Sequence, residues 1–110
     1  MDVCIEKCIH KDKVDAVLRN LPDSEGLSEL LKALGDPGRL KIAISLLFED
    51  LCVCDLSAIS GLSESAVSHQ LRVLRHLKIV RNRRDGKIML YSLYNENIEN
   101  FLRQIIATTI

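Results

Sequence analysis

Four cysteines carry most of the chemistry available to this 110-residue chain, and they fall into two pairs, Cys4/Cys8 and Cys52/Cys54. Thiolates are soft donors, and four of them make a tetrahedral-competent set that suits Zn(II) and, by softness, Cd(II) or Pb(II) better still. Spacing decides whether each pair can converge. Residues i and i+4 share a face of a helical turn, so Cys4 and Cys8 can meet. Residues i and i+2 point the same way in an extended segment but stand about 160° apart on a helix, at about 100° per residue. Cys52 and Cys54 therefore converge on one ion only at the frayed start of a helix, and they sit there, after Glu49-Asp50-Leu51. Small buried hydrophobes are the bland alternative for cysteine; two convergent pairs that account for every cysteine argue against it. Glu49, Asp50 and Asp55 beside the second pair suit a cation and work against the low thiol pKa that a redox switch needs.

The elements that must position this pair begin directly after it. Asp55 to Ser60 reads as a short helix with Leu56 and Ile59 on one face, Gly61 supplies a turn free to take positive φ, and Ser63 is an N-cap for a second helix. In that second helix Val67, Leu71 and Leu74 recur at i, i+4 and i+7 and form a buried stripe. The other face carries Ser65, Ser68, His69, Arg72 and Arg75, which are donors and cations. An ordinary solvated helix face explains these equally well in isolation. The next fifteen or so residues of the chain shift the balance. Ile79 to Asn82 is β-prone, Arg83-Arg84-Asp85-Gly86-Lys87 reads as a turn, and Ile88 to Leu93 is a stronger strand. Helix, turn, helix and a two-stranded ribbon make a winged helix-turn-helix, with Arg83, Arg84 and Lys87 at a basic wing tip suited to a phosphate backbone.

Net charge is +0 over the whole chain, which looks unfavourable for nucleic acid, but the distribution is uneven. Residues 61–90 hold seven Lys/Arg and two Asp/Glu, a net +5, while residues 1–60 hold seven and eleven, a net −4. The positive charge lies on the proposed reading helix and wing. Upstream, Lys11 to Asn20 reads as a helix stopped by Leu21-Pro22. A second runs from Ser24 or Glu25 through Leu27, Leu30, Leu31 and Leu34 to Gly35. A third is capped by Asp36 with Pro37 at its first position, and its apolar residues, Leu40 to Phe48, make it central. A last helix from Glu96 to Ala107 carries Ile98, Phe101, Leu102, Ile105 and Ile106. That apolar face is too generous for solvent, so the expectation is a mainly α homodimer paired through its N- and C-terminal helices and matched to a palindromic operator in double-stranded DNA. Residues 1–10 would be a metal-binding arm and 11–110 the winged helix-turn-helix domain with flanking dimerisation helices. The first residues lack the apolar region of a secretory signal, and no run approaches the roughly 20 apolar residues that span a bilayer, so a soluble cytoplasmic protein without a membrane partner is expected. In that compartment the cysteines are metal- or redox-related rather than structural disulfides. No nucleophile–base set or cofactor loop points to an enzyme.

The segment Leu51 to Leu93 resembles the ArsR/SmtB family of metal-responsive repressors. Cys52-Val53-Cys54-Asp55-Leu56 is similar to the family's metal box, Ser68-His69-Gln70-Leu71-Arg72 to its reading helix, and Gly86-Lys87 with Leu90-Tyr91 to its wing. The likeness covers about residues 25–105 and is nearest to the CadC-type cadmium/lead sensors, which join the box pair to two N-terminal cysteines. It implies Cys4, Cys8, Cys52 and Cys54 as ligands of the inducer Cd(II), Pb(II) or Zn(II), in a site within or between subunits. It also implies DNA contacts from Ser63, Ser65, Ser68, His69, Gln70, Arg72 and Arg75 on the reading helix and from Arg83, Arg84 and Lys87 on the wing. The function implied is a repressor released from its operator when the cation binds. Two departures stand out. Ser57 occupies the place of a third cysteine in the family's arsenite sensors, and the last helix has no histidine for the family's second, zinc site. A repressor of the same fold switched by thiol oxidation or by arsenite is the alternative, and a metal carrier without DNA is disfavoured by the basic wing. His10 and His76 read as plain surface residues.

Overall fold

An aspartate followed by proline fixes the start of the central helix. In the computed structural model, which describes residues 8–109, α3 runs Pro37–Ser45 and the Asp36 carboxylate accepts the Arg39 N–H at 3.0 Å. Two helices precede it, α1 (Lys11–Asn20) and α2 (Glu25–Leu34). After it come α4 (Val53–Ser60), α5 (Glu64–His76), strands β1 (Val80–Asp85) and β2 (Ile88–Leu93), and α6 (Glu96–Thr108). The hairpin is antiparallel, with Val80 opposite Leu93 and Asp85 opposite Ile88. This is the expected mainly helical winged helix-turn-helix.

α3 packs against α2, α4 and α5, β1 continues from α5, and α6 lies against β2. Ile42, Leu56, Val67 and Leu74 are 0% exposed, and Leu71 and Leu102 are 1% exposed. One polar side chain ties three helices together. The Arg39 guanidinium donates through Nε to the Ala33 carbonyl of α2 at 2.7 Å and through Nη1 to Gln70 Oε1 of α5 at 2.9 Å. Among the described residues no helix is long and apolar enough to cross a membrane. α1 buries none of its residues, and Val14, Val17 and Leu18 are all exposed. The molecule is elongated, 66 × 26 × 24 Å.

Three expectations need correction. α4 begins at Val53 rather than Asp55, because Cys52 and Asp55 cap it together. β1 continues to Asp85, so Arg83 and Arg84 lie on the strand, opposite Leu90 and Met89, and only Gly86-Lys87 form the loop. Gly86 has φ 64°, the sign that the first central residue of a II′-type two-residue turn requires. The apolar run after α3 coils into a turn at Leu46–Phe48, which leaves Phe48 77% exposed. A feature without a sequence signal is an isolated β-bridge: Leu51 and Tyr91 exchange both backbone hydrogen bonds, at 3.1 and 2.8 Å, on the side of β2 away from β1.

Gly61 has φ 77°, as the corner between α4 and α5 demands. α5 ends in a Schellman motif, where the Ile79 N–H donates to the Leu74 carbonyl at 2.9 Å and the Lys78 N–H to the Arg75 carbonyl at 3.0 Å. The left-handed position is held by Lys78 at φ 59°, the only non-glycine with positive φ among the described residues. A side chain there carries local strain. Lys78→Gly is therefore expected to stabilise the fold by about 0.5–1 kcal/mol, the relief of strain net of glycine's extra chain entropy. Urea unfolding reads this as a higher midpoint, and a lower midpoint would contradict it.

Candidate thiol site and nucleic-acid interface

Cys52 is the N-cap of α4, in extended conformation at φ −92° and ψ 174°, and Cys54 lies in the first turn. The pair thus sits at the boundary where i and i+2 side chains can converge. Both thiols are free, Cys52 half-buried and Cys54 exposed. The Cys52 N–H and Sγ–H both donate to Asp55 Oδ2, at 3.1 and 3.2 Å. These bonds, the backbone one foremost, hold the Asp55 carboxyl below the usual carboxylate range. Cys54 is pushed the other way. The charge of Glu64 raises its pKa most, and partial desolvation, Cys52, a hydrogen bond to Glu64 and Asp55 add to the effect. Glu64 is the first residue of α5, so the thiol site touches the start of the second helix.

The donor chemistry fits a thiophilic cation in part. Two thiols supply half of a tetrahedral set, and among the described residues no three His, Cys, Asp or Glu side chains stand close enough to hold a metal. Cys8 is exposed in the segment before α1 and is disulfide-bonded in this structure. Cys4 lies outside the described residues.

On α5, Ser65, His69 and Arg72 are exposed on the face opposite the buried stripe, while exposed Arg75 and half-buried Ser68 stand on its flank beside Leu71. Ser63 Oγ accepts the Ala66 N–H at 3.1 Å and caps the helix. Gln70 differs from its neighbours, because its amide oxygen is taken by Arg39 on the α3 side. Lys87 and Arg84 are exposed at the hairpin end. Arg83 is exposed but paired, its Nη1 2.6 Å from Asp50 Oδ2, above a cleft that also includes Glu49 and Glu99. Between α5 and the wing lies a second cleft, of about 300 Å³, lined by Ser68, Leu71, Arg72, Arg75 and Tyr91. The sequence alone places Tyr91 in the wing without a site role and gives Arg39 none. Tyr91 had a signal, since it stands two residues before Leu93 and so on the inward face of the strand; Arg39 had none.

The comparisons with known proteins agree with this geometry. The model of the bacterial regulatory protein, arsR family, matches residues 36–82. A transcriptional repressor SmtB homolog from Synechocystis is 39% identical over 108 residues, 96% of this chain and 82% of that protein. The cadmium resistance transcriptional regulatory protein CadC homolog from Staphylococcus aureus is 37% identical over 106 residues, 94% of this chain and 88% of that one. Among solved structures, reduced HlyU from Vibrio cholerae superimposes with a TM-score of 0.73 at 28% identity, covering 86% of this chain and 97% of that chain.

Because the Glu64 carboxylate holds the proton on Cys54, Glu64→Gln lowers that pKa and raises the thiolate fraction at a given pH. Alkylation of Cys54 by iodoacetamide at pH 8, read by peptide mass mapping, is expected to run several-fold faster in the variant. An unchanged rate would remove Glu64 as the cause.

Proposed function

This chain belongs to the ArsR/SmtB family of bacterial transcriptional regulators, winged helix-turn-helix proteins and not enzymes, and from that premise we propose a homodimeric, cytoplasmic repressor. In this reading it leaves a palindromic operator when a thiophilic cation, Cd(II), Pb(II) or Zn(II), is bound by Cys4, Cys8, Cys52 and Cys54. The observation that carries the reading is the free thiol pair at the start of α4, whose Cys54 interacts with Glu64, the first residue of α5. Its similarity to a cadmium resistance regulator supports the choice of cation.

A soft divalent cation supplies positive charge and a preference for tetrahedral thiolates. The chain's own residues do the rest. For Cys52 to act as a ligand, its thiol gives up the hydrogen bond to Asp55, and Cys54 gives up its proton and its bond to Glu64. Both changes fall on residues that start α4 and α5, so they bear on where the reading helix stands. Cys8 takes part only in its reduced form. Ser63, Ser65, Ser68, His69, Arg72, Arg75, Arg84 and Lys87 are the DNA contacts in this reading. Gln70 and Arg83 join them only by leaving Arg39 and Asp50. Residues 1–10 form the metal-binding arm and 11–110 the DNA-binding and dimerising domain.

The exposed apolar faces of α1 (Val14, Val17, Leu18), α2 (Leu27, Leu31) and α6 (Ile106) support a second copy as their cover. A thiol redox switch is the second reading. The disulfide at Cys8 favours it, whereas the raised pKa of Cys54 opposes it at the α4 pair.

Fluorescence anisotropy on operator DNA under reducing conditions tests the reading. Cd(II) is expected to weaken binding by about 5- to 150-fold, the usual range of allosteric coupling, and DNA to weaken Cd(II) binding by the same factor. In Cys52→Ser the response disappears. Tight DNA binding unmoved by any thiophilic metal would transfer the case to the redox reading. Sedimentation at micromolar concentration is expected to give a dimer, and Leu18→Glu to shift it towards monomer; a native monomer would end the dimer proposal.

A further inference from the structure

The cleft between α5 and β2 is distinguished by the state of its polar groups. Ser68, Tyr91, Arg72 and Arg75 line it together with Leu71, and no Asp or Glu does. Each of the four polar side chains can donate, and the two guanidiniums can only donate. Within the described residues none of the four side chains makes a hydrogen bond or an ion pair, whereas Arg39, Ser63 and Arg83 are each engaged. Two cations and two hydroxyl side chains around one cleft, without a carboxylate among them, suit an anion.

Its position says which anion. One wall is the flank of the reading helix beside Leu71 and the other is a wing strand, so a ligand here lies between the two elements that approach DNA. Tyr91 alternates with Met89 and Leu93 along β2, and Leu93 is 4% exposed, so the tyrosine ring lies on the strand face turned towards the body of the protein. Its backbone N–H and C=O are both bonded to Leu51, and it stands opposite Asn82 of β1. We propose that this cleft seats one phosphodiester of the DNA strand that runs between reading helix and wing. Tyr91 Oη and Ser68 Oγ donate to its non-bridging oxygens, and Arg72 and Arg75 neutralise its charge. Tyr91 is then a DNA-contacting residue that reads backbone and not sequence. The inference rests on the DNA-binding role proposed for this surface.

Metal-free, reduced protein is titrated onto two duplexes of unrelated sequence by fluorescence anisotropy across a range of salt. The native chain is compared with Tyr91→Phe, which keeps the packed ring and removes only the hydroxyl, and with Arg75→Gln. Tyr91→Phe is expected to bind both duplexes about ten- to hundredfold more weakly, as loss of one hydrogen bond to a charged group implies, with an unchanged salt slope. Arg75→Gln is expected to weaken binding and flatten the salt slope by about one. Native affinity in Tyr91→Phe would overturn the proposal, and so would a loss confined to one duplex, which would mark a base contact. Sub-millimolar binding of inorganic phosphate to the DNA-free protein, read by calorimetry, would replace the backbone seat with a small-anion site. A native protein that binds neither duplex would defeat the DNA-binding reading itself; native binding with an indifferent Tyr91→Phe defeats only the seat.

Discussion

Val67, Leu71 and Leu74, on one stripe of α5, are sealed from solvent to 1% exposure or less. Burying three such side chains stabilises the fold by about 5–9 kcal/mol, a large share of what a domain of this size retains overall. The outer face of the same helix is held in place by that inner stripe. Arg39 adds direction to it: a guanidinium bonded to the end of α2 and to Gln70 fixes the helix against rotation as well as against withdrawal. The candidate DNA contacts are thus presented on a surface whose geometry is decided in the core.

The thiol pair is governed by different physics. Cys52 and Cys54 stand at a helix N-terminus, a setting that by itself favours thiolate, yet Glu64 and Asp55 push Cys54 in the opposite direction. A nucleophilic or redox-active thiol is built with cations around it. Here the surroundings are anionic, which keeps the proton on the sulfur until something more strongly attracted to it arrives. The same carboxylates that dull the thiol as a nucleophile add to its attraction for a cation.

Much of the fold was legible from local signals. Asp36-Pro37 and Ser63 fixed the starts of α3 and α5, and Gly61 the corner between α4 and α5, because caps and positive φ are demands of single residues. The cysteine pair was legible for the same reason, its chemistry being set by a spacing of two. What escaped depended on partners far along the chain. Arg83 and Arg84 read as a turn because Asp85-Gly86 marks one nearby. Only the pairing of the two strands shows that the loop needs just Gly86 and Lys87. Gln70 reads as an outer-face residue until Arg39, thirty-one positions away, claims its amide. Tyr91 becomes a binding candidate only when α5 and the wing are brought together.

The ladder formed by Leu51, β2 and β1 has one consequence for the protein in bulk solution. Leu51 shields the far side of β2 at one position, so the long open margin of the sheet belongs to β1. An unpaired strand margin is a template onto which another chain can add, and exposed charge is a common safeguard. Along β1 the sequence places Arg81, Arg83 and Arg84, all exposed. Two such strands approaching each other would bring like charges into register before a backbone bond could form. The basic residues of the wing are therefore placed as gatekeepers against aggregation, independently of any nucleic acid.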